Sequence, residues 1–572
     1  MKKWWRYTKK ADFEEISRRY GIDKVTAQVI RNRDITGDEA INRYLNGDTD
    51  ELYNPELMED MDEAARLMWQ AIDSGLKIRI IGDYDVDGVC SIYILFKGLK
   101  ALGADADYDV PDRNTDGYGI NDNLINKAYN DGIRVLITCD NGIAAISQVK
   151  YAKSLGMTVI ITDHHDVQYD EADGIRVYRM PEADAVIDNK RQDCRYPFKL
   201  LCGAAVAYKF VKYMCSVRGR EIYDDDDALV FAAMATICDV VDLVDENRII
   251  AKAGLKRISY TSNKGLLALI NAAGVNKYDI SSYHIGFVIG PCLNASGRLE
   301  SAVKAINMLL TDDENEASAL AAELYELNRR RKELTLKAVD EAVEMVYNTD
   351  MGNDRVLVIH LPDCHGSIAG IVAGKVRERF YKPVIVLTGE GDVLKGSGRS
   401  IESYNMFEKL LECKDLFMAF GGHPMAAGMT LSADRLEEFR NRLNLNCNLS
   451  DDDLTEKIWI DVAMPIGYVS EELVNDLKKL EPFGKGNPKP VFAYKNLTIC
   501  KISSFGRNSE YTKMVLSDEY GSCMEATGFF PYDELKKCYM DGRKISCLYY
   551  PEINEFREQK NLRIVITEYR IE

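Results

Sequence analysis

Three short apolar runs, each followed closely by an aspartate, constrain the fold of this chain more than any other feature. Helix-length segments separate the runs, and strands that alternate with helices predict an α/β protein with a doubly wound parallel sheet. Ligands of such sheets gather outside the carboxyl ends of the strands, which is where these acids fall. The runs are 78–81 before Asp83, 135–138 before Asp140, 159–162 before Asp163, and a fourth candidate, 185–187, before Asp188.

The run DYDVDG at 83–88 places Asp83, Asp85 and Asp87 at alternate positions. Carboxylates this close repel one another and lose solvation when they are buried, so a metal ion or an arginine must neutralise them. Taken alone, the run fits a solvated turn that ends in glycine equally well. The decision between these two interpretations depends on the rest of the chain.

A second cluster follows the third run, where Asp163, His164 and His165 are adjacent in a chain with only 6 histidines. Imidazole and carboxylate together suit a divalent transition metal. The neighbouring strand ends supply further candidate ligands, namely Asp85, Asp87 and Asp140. This set exceeds what one ion requires, and two ions that share a bridging carboxylate are a common device for phosphoryl hydrolysis. The alternative is an Asp-His-His turn that caps a helix.

The composition limits the class of protein. With 572 residues and 46% hydrophobic content, the chain is long enough for roughly three or four domains. The net charge of −18 argues against a broadly basic nucleic-acid surface but leaves room for a local groove. The N-terminal MKKWWRYTKK is basic and aromatic, no apolar segment follows it, and no run of about 18 apolar residues occurs. We therefore expect a cytoplasmic protein whose 14 cysteines are reduced.

Periodicity and turn signals divide the chain into five segments. Helical spacing dominates the N-terminal region and the centre of the chain, and short alternating runs near the C-terminus predict a small β-barrel. The predicted segments are a helical lead-in at 1–75, an α/β domain with a helical extension at 76–312, a connector helix at 313–347, a smaller α/β domain at 348–450 and the barrel at 451–572.

The motifs DYDVDG, TCDNG, TDHH and ICDVVDL, in this order, resemble those of the DHH phosphoesterase superfamily. Nearly the whole chain is similar to the bacterial members that degrade single-stranded DNA from its 5′ end. The resemblance implies a DHH domain, a DHH-associated domain that closes over the active site, and a C-terminal OB-fold. The stretches that carry the narrower likeness are PDRNTDGYG at 111–119, YPFKLLCGAAVAYK at 196–209, GPCLNASGRLE at 290–300, HGSIAGIVAGKVRERF at 365–380, KGSGRS at 395–400, GGHPMAAG at 421–428 and LEPFGKGNPKPVF at 480–492.

The resemblance also implies roles for the acids and histidines. Two divalent cations are implied, and Asp140 bridges them. Asp83 and Asp163 support the ligands, and His165 faces the scissile phosphate. Mixed histidine and carboxylate ligation favours Mn²⁺, with Mg²⁺ as the second choice. The implied metal ligands are Asp85, Asp87, Asp140, His164 and Asp239.

A hydrolase that starts at a 5′ end needs hydrogen-bond donors for the terminal phosphate. The resemblance implies that Arg113, Ser397 and Arg399 provide them, and that Arg298 and His423 contact phosphate or sugar. The alternatives are a surface position for Arg113, a structural role for Arg298, helix packing for the glycines beside His423, and core packing for the barrel aromatics. The candidate contacts of the barrel with a single strand are Phe505, Arg507, Tyr511 and Lys513.

Together these features predict a metal-dependent exonuclease that degrades single-stranded DNA 5′→3′ to mononucleotides in recombination and repair. One alternative is a DHH phosphodiesterase for short oligoribonucleotides or cyclic dinucleotides, which would not need the connector helix and the barrel. The other is a non-catalytic DHH scaffold, in which the intact acidic ligand set would be a liability. The expected partners are single-stranded DNA, a single-strand-binding protein and a helicase. We expect a monomer that makes no contact with a membrane.

Overall fold

The computed structural model describes residues 2–112, 117–172, 175–219, 226–506, 511–556 and 559–572. These residues form two compact units, and each unit combines distant parts of the chain. The first consists mainly of Pro55–Asp239 and Arg257–Glu456, and the second of Lys3–Asn54, Val240–Lys256 and Lys457–Glu572. Within the described ranges, no helix combines the length and the apolar character that crossing a membrane requires.

The N-terminal region contains four helices and one strand. Aspartates begin the first two helices, since the carboxylates of Asp12 and Asp23 accept backbone N–H groups of the first helical turn. The predicted helices form, whereas the strand β1 was not predicted and pairs in parallel with Lys457–Ile460. The elements are β1 (Lys3–Arg6), α1 (Phe13–Tyr20), α2 (Lys24–Asn32), α3 (Asp38–Asn46) and α4 (Met61–Asp73).

A parallel sheet of five strands organises the first unit, in the order β3-β2-β4-β5-β8. The predicted doubly wound sheet is therefore confirmed. The chain moves to one side of β2 and then to the other, so the switch point of the topology lies between β2 and β4. The strands are β2 (Lys77–Ile81), β3 (Asp105–Asp109), β4 (Val135–Cys139), β5 (Thr158–Asp163) and β8 (Ala185–Asp188), and a hairpin is formed by β6 (Tyr169–Ala172) and β7 (Ile175–Tyr178).

Helices cover both faces of this sheet and then continue as a helical extension. Among them, α5 packs against α8 and α9, and a π-helical turn at Ile285–Ile289 leads into α13. The helices are α5 (Val86–Ala101), α6 (Asp122–Asn130), α7 (Ile146–Ser154), α8 (Gly203–Val217), α9 (Asp226–Cys238), α11 (Lys264–Ala272), α12 (Ser282–His284), α13 (Gly290–Leu299) and α14 (Val303–Leu310). The helix α10 (Asp245–Arg257) belongs, except for its last residue, to the second unit.

The predicted connector is the long helix α15 (Glu314–Asn348), which begins at the capping carboxylate of Asp313. It packs against α11 and α13 at one end and α16 at the other. A mixed sheet follows in the order β12-β13-β11-β10-β9. Its elements are β9 (Leu357–His360), α16 (Ala369–Phe380), β10 (Val384–Thr388), β11 (Val393–Arg399), α17 (Met406–Leu411), β12 (Phe417–His423), β13 (Ala426–Ser432) and α18 (Leu436–Leu445).

The C-terminal region is a barrel, as the alternating pattern predicts. Its sheet runs β15-β16-β17-β18-β20-β19, and an additional pairing between β16 and β19 closes it. The barrel shares one apolar core with the N-terminal helices α1–α3. Its elements are β14 (Lys457–Ile460), β15 (Val462–Ala463), α19 (Glu471–Lys478), β16 (Phe492–Phe505), β17 (Tyr511–Ser517), β18 (Cys523–Gly528), α20 (Tyr532–Met540), β19 (Lys544–Phe556) and β20 (Gln559–Ile571).

Candidate metal centre and active site

The DYDVDG run forms a tight turn from β2 into α5. The Asp85 carboxylate caps α5 and accepts the backbone N–H groups of Asp87 at 2.9 Å and Gly88 at 3.2 Å. A Cβ atom at position 88 would lie 2.3 Å from the carbonyl oxygen of Asp83, so only glycine fits there. The turn is therefore tightly packed and buries Asp83 and Asp87. The interpretation of this run as a solvated turn is wrong.

The N-terminus of α8 fixes Asp87 from the opposite side. Its carboxylate accepts the backbone N–H groups of Gly203 and Ala204, both at 2.7 Å, in an arrangement that favours an anion at a helix N-terminus. A Cβ atom at position 203 would lie 2.7 Å from the Cβ atom of Asp140. Gly203 therefore lets the same helix end approach both acids.

His164 lies among three carboxylates that come from different elements. Its Nε2 atom is 3.0 Å from Oδ1 of Asp140, 3.5 Å from Oδ2 of Asp87 and 3.9 Å from Oδ2 of Asp239. Asp140 directly follows β4 in the left-handed region, with a φ of 59°, and its N–H donates to the carbonyl of Thr162. Asp239 directly follows α9. The ends of two strands, a turn and a helix thus converge on one imidazole.

The donor atoms of this cluster are close enough to hold a divalent cation. Three groups each have their candidate ligand atoms within 4.8 Å of one another, and Asp140 and His164 each belong to two of them. Imidazole and carboxylate oxygen suit Mn²⁺ and related divalent ions. The residues therefore fit a metal centre. The groups are Asp140 with His164 and His165, Asp87 with His164 and Asp239, and Asp83 with Asp85 and Asp140.

The ionised forms of three carboxylates in the cluster are disfavoured, and their pKa values are raised. Burial, followed by the charge of Asp85, raises the pKa of Asp87 to about 7. Burial and the charge of Asp87 raise the pKa of Asp239 to about 7 and that of Asp140 well above its usual range. Because a bound cation needs the ionised carboxylates, metal binding to this cluster at neutral pH would release protons.

Asp163 forms an ion pair with His165. Its carboxylate accepts N–H groups from Ile143 at 2.9 Å and His164 at 2.7 Å, and lies 2.7 Å from Nδ1 of His165. Burial raises the pKa of Asp163, but the hydrogen bond from His165 outweighs it and lowers this pKa to about 2. Burial lowers the pKa of His165, but the same hydrogen bond outweighs it and raises this pKa to about 9. His165 is therefore a cation near neutral pH.

The candidate phosphate-binding residues of the smaller α/β domain, predicted at 348–450, lie on neighbouring strands. The register places Arg399 beside Ala426, and Ala426 beside His423, in one row across β11, β13 and β12. Ser397 is two residues earlier on β11 and lines a cavity of about 650 Å³ with His365 and Lys395 among others. The sheet thus brings Ser397, Arg399 and His423 to one region.

The NASGR and GSGRS motifs both contact the segment that runs from the turn Gly366–Ile368 into α16. Nη1 of Arg298 donates to the carbonyl of Ser367 at 2.9 Å. The guanidinium of Arg399 lies so close to Gly370 that a Cβ atom there would be 2.7 Å from Nη2. Arg298 therefore makes a structural contact with the smaller α/β domain, in addition to any contact with a ligand.

The candidate contacts of the barrel are partly assembled. Phe505 and Tyr511 stack at 5.1 Å between ring centroids, and Phe529 meets Tyr511 edge-on at 5.5 Å. These rings are exposed, so the core-packing alternative is wrong for Phe505 and Tyr511. Lys513 pairs with Glu525 at 2.8 Å. Two further candidates, Arg113 and Arg507, lie outside the described residues.

Sequence reasoning did not single out four residues that shape the site. Gly203 and Ala204 hold Asp87, and Asn294 accepts the N–H of Val86 at 3.1 Å. The Tyr118 hydroxyl donates to the carbonyl of Asp140 at 2.7 Å and lies 3.2 Å from Nε2 of His165. All four lie within the motif stretches quoted above, so their membership of these stretches was the one indication in the sequence that they belong to the site.

Three parts of the chain match known families. Residues 77–236 match the N-terminal domain of the DHH family, 353–448 match the DHHA1 domain and 460–568 match the RecJ OB domain. The single-stranded-DNA-specific exonuclease RecJ of Bacillus subtilis (strain 168) is 36% identical over 95% of this chain and 68% of that protein. The RecJ of Salmonella typhimurium (strain LT2) is 31% identical over 89% of this chain and 90% of that protein.

Two crystal structures of metal-bound relatives are also similar. RecJ from Thermus thermophilus in complex with Mn²⁺ matches with a TM-score of 0.83 over 99% of this chain and 79% of that chain, at 24% identity, which shows the shared fold. An exonuclease RecJ bound to manganese is 31% identical, with a TM-score of 0.58 over 68% of this chain and 94% of that chain. The predicted DHH, DHH-associated and OB architecture is confirmed.

Proposed function

This chain belongs to the RecJ family of single-stranded-DNA-specific exonucleases, and from that premise we infer that it hydrolyses single-stranded DNA from the 5′ end to 5′-mononucleotides. The observation that carries the inference is the convergence of Asp87, Asp140 and Asp239 on the Nε2 atom of His164. A non-catalytic scaffold has no use for buried acids that are costly without a cation.

We propose that two divalent cations bind here, with Mn²⁺ preferred because the set includes an imidazole. Bound cations would supply Lewis acidity, which lowers the pKa of a water molecule and offsets charge on the phosphate oxygens. Asp140 belongs to two of the three ligand groups, so it would help to hold both cations. Asp83 and Asp163 orient the ligand loops, and the proposed ligands are Asp85, Asp87, Asp140, His164 and Asp239.

The protein's own groups prepare the phosphate. His165 is held by Asp163 at 2.7 Å and carries a positive charge near neutral pH, so it can donate a charged hydrogen bond to an oxygen of the scissile phosphate. Because Nδ1 is held by Asp163, the donor for the phosphate is the Nε2–H, which lies 3.2 Å from the Tyr118 hydroxyl; a phosphate oxygen would replace that hydroxyl as its acceptor. Arg298 and His423 are proposed to contact the backbone of the bound strand, and Phe505, Tyr511 and Lys513 to contact it on the barrel.

We propose that Ser397 and Arg399, with Arg113, hold the 5′-terminal phosphate. Gly396 and Gly398 flank Ser397 on β11, where a Cβ atom at position 396 would lie 2.6 Å from Leu387. The strand is therefore packed closely against β10, and this packing fixes the position of the two phosphate donors. In cells we expect cooperation with a single-strand-binding protein and a helicase during recombination and repair, and action as a monomer.

Arg399→Ala should reduce the preference for a 5′-phosphorylated end by about 10-fold to 100-fold, because a charge-assisted hydrogen bond is lost. The measurement is the ratio of kcat/KM for oligonucleotides with a 5′-phosphate and a 5′-hydroxyl. Arg442→Ala, which removes an arginine paired with Asp415 on the same domain, is the matched control. A ratio in Arg399→Ala equal to that of the wild type would remove Arg399 from the end-binding site.

One assay tests the function as a whole. The protein is incubated in Mn²⁺ with 5′-labelled single-stranded or double-stranded DNA, and Asp140→Ala is the inactive control. Release of mononucleotides from the single strand alone, lost in the variant, is the expected result. Cleavage confined to oligomers of a few nucleotides would indicate the short-substrate phosphodiesterase, and absence of cleavage by the wild type would indicate the scaffold.

A further inference from the structure

The parallel pair of β1 and β14 has two chemically different faces. The register places Trp4 opposite Ile458 and Trp5 opposite Trp459, and successive side chains of a strand point to opposite faces. Trp4 and Ile458 pack against a small buried cluster of the barrel. Trp5 and Trp459 therefore lie on the outer face, where they are 45% and 42% exposed.

Three rings form a continuous surface on this outer face, which we call the aromatic platform: Trp5, Tyr7 and Trp459. The ring centroids of Trp5 and Trp459 are 5.5 Å apart, and Tyr7 stacks on Trp459 at 4.9 Å with an interplanar angle of 24°. Hydrophobic burial does not explain these rings, because the opposite face of the same strands already supplies the contact with the core.

Lysines surround the platform. Nζ of Lys457 lies 5.7 Å from the ring centroid of Trp5, and Nζ of Lys9 lies 5.3 Å from that of Tyr7. Lys3 is opposite Lys457 in the strand register. Asp34 is an acidic neighbour, paired with Lys9 at 2.7 Å. Asp461, which pairs with Arg33 at 2.8 Å, also acts electrostatically on Tyr7. In a chain with a net charge of −18, the first ten residues contain five basic and no acidic side chains, so basic groups predominate in this stretch.

We propose that the aromatic platform is a further binding surface for single-stranded nucleic acid, distinct from the metal centre and from the proposed barrel contacts Phe505, Tyr511 and Lys513. Bases stack on Trp5 and Trp459, and Lys3, Lys9 and Lys457 contact the phosphates, which is the combination used by proteins that bind single strands without sequence preference. An acidic peptide would match the lysines but would leave the exposed ring faces without a role. The choice of nucleic acid as the ligand rests on the proposed function, and the platform would retain the strand while its end is cut.

The test is a binding measurement with the full-length protein in EDTA, so that the probe is not cut. The probe is a 3′-fluorescein oligothymidylate of about 40 nucleotides, followed by fluorescence anisotropy. Trp5→Ala/Trp459→Ala should bind it roughly 10-fold more weakly, while in Mn²⁺ the variant hydrolyses an oligomer of about six nucleotides at the wild-type rate. Trp5→Phe/Trp459→Phe keeps rings on the platform and should bind like the wild type.

Controls separate a binding role from a folding role. Tyr520→Ala removes another ring of the same unit, 78% exposed, and should leave binding unchanged. If the double alanine variant melts early, Lys3→Glu/Lys457→Glu keeps the rings and should still weaken binding and flatten its salt dependence. Two results would refute the proposed binding role of the platform. One is wild-type affinity for the oligothymidylate in both the double alanine and the double glutamate variant. The other is binding of an acidic peptide to the platform with no platform-dependent binding of the oligothymidylate. Platform-dependent binding by a protein that cuts nothing would support the platform and refute the proposed function.

Discussion

Asp140→Asn should abolish nuclease activity, lowering kcat by about 1,000-fold or more, because the substitution removes the carboxylate shared by two ligand groups. The change is nearly isosteric, and the tight packing of Gly203 against Asp140 is preserved. Mononucleotide release from single-stranded DNA in saturating Mn²⁺ measures the effect. Asp105→Asn, at an exposed carboxylate of strand β3 in the same sheet, is the matched control and should keep wild-type activity.

The same substitution should make the metal-free protein more stable at neutral pH. A buried carboxyl whose pKa is raised in the folded state lowers the free energy of unfolding as pH rises from the unfolded value, near 4, towards the folded value. The penalty is therefore present at pH 7.5 and disappears near pH 4. We expect a higher Tm for Asp140→Asn than for the wild type in EDTA at pH 7.5, and a smaller increase in Tm on adding Mn²⁺. More than a tenth of wild-type activity, or an unchanged response to Mn²⁺, would contradict the role of Asp140.

Much of this site could be predicted because its acids follow strands that the sequence reveals. The apolar runs that end before Asp83, Asp140 and Asp163 are buried strands of one parallel sheet, and parallel strands bring their carboxyl ends to one edge. Asp239 is different, because it follows a helix. No periodicity could place it beside His164, and only the resemblance of ICDVVDL to a superfamily motif suggested its position.

Strands that depend on distant partners escaped prediction. β3 has the sequence DADYD and contains three acids, a composition that opposes strand formation. The buried Arg79 on β2 compensates by donating to Asp107 at 2.8 and 2.7 Å and to Asp131 at 2.9 Å. β1 has only four residues, KWWR, and its partner β14 lies about 450 residues away along the chain. Neither the contacts of Arg79 nor the pairing of β1 with β14 can be inferred from a short window of sequence.

Asp163→Asn should lower kcat/KM by about 100-fold at pH 8, because the asparagine no longer holds His165 as a cation against the phosphate. The carboxylate raises the pKa of His165 to about 9, so His165 is protonated below that pH, and its stabilising contact with Asp163 is lost as pH rises through it. Without the carboxylate, this pKa falls towards the ordinary value near 6.5. The alkaline fall in activity should therefore begin at lower pH in the variant than in the wild type.

The pH profile distinguishes positioning of His165 from a general loss of structure. His165→Ala should lower kcat/KM about as much as Asp163→Asn does. The kcat/KM of the double variant should be little lower than that of either single variant, because both substitutions remove the same charged hydrogen bond. Asp166→Asn, at an exposed carboxylate that pairs with Lys190 at 3.3 Å, should retain the wild-type rate and profile. Additive losses in the double variant, or an unshifted alkaline limb in Asp163→Asn, would show that Asp163 acts on the site through the N–H groups of Ile143 and His164 instead.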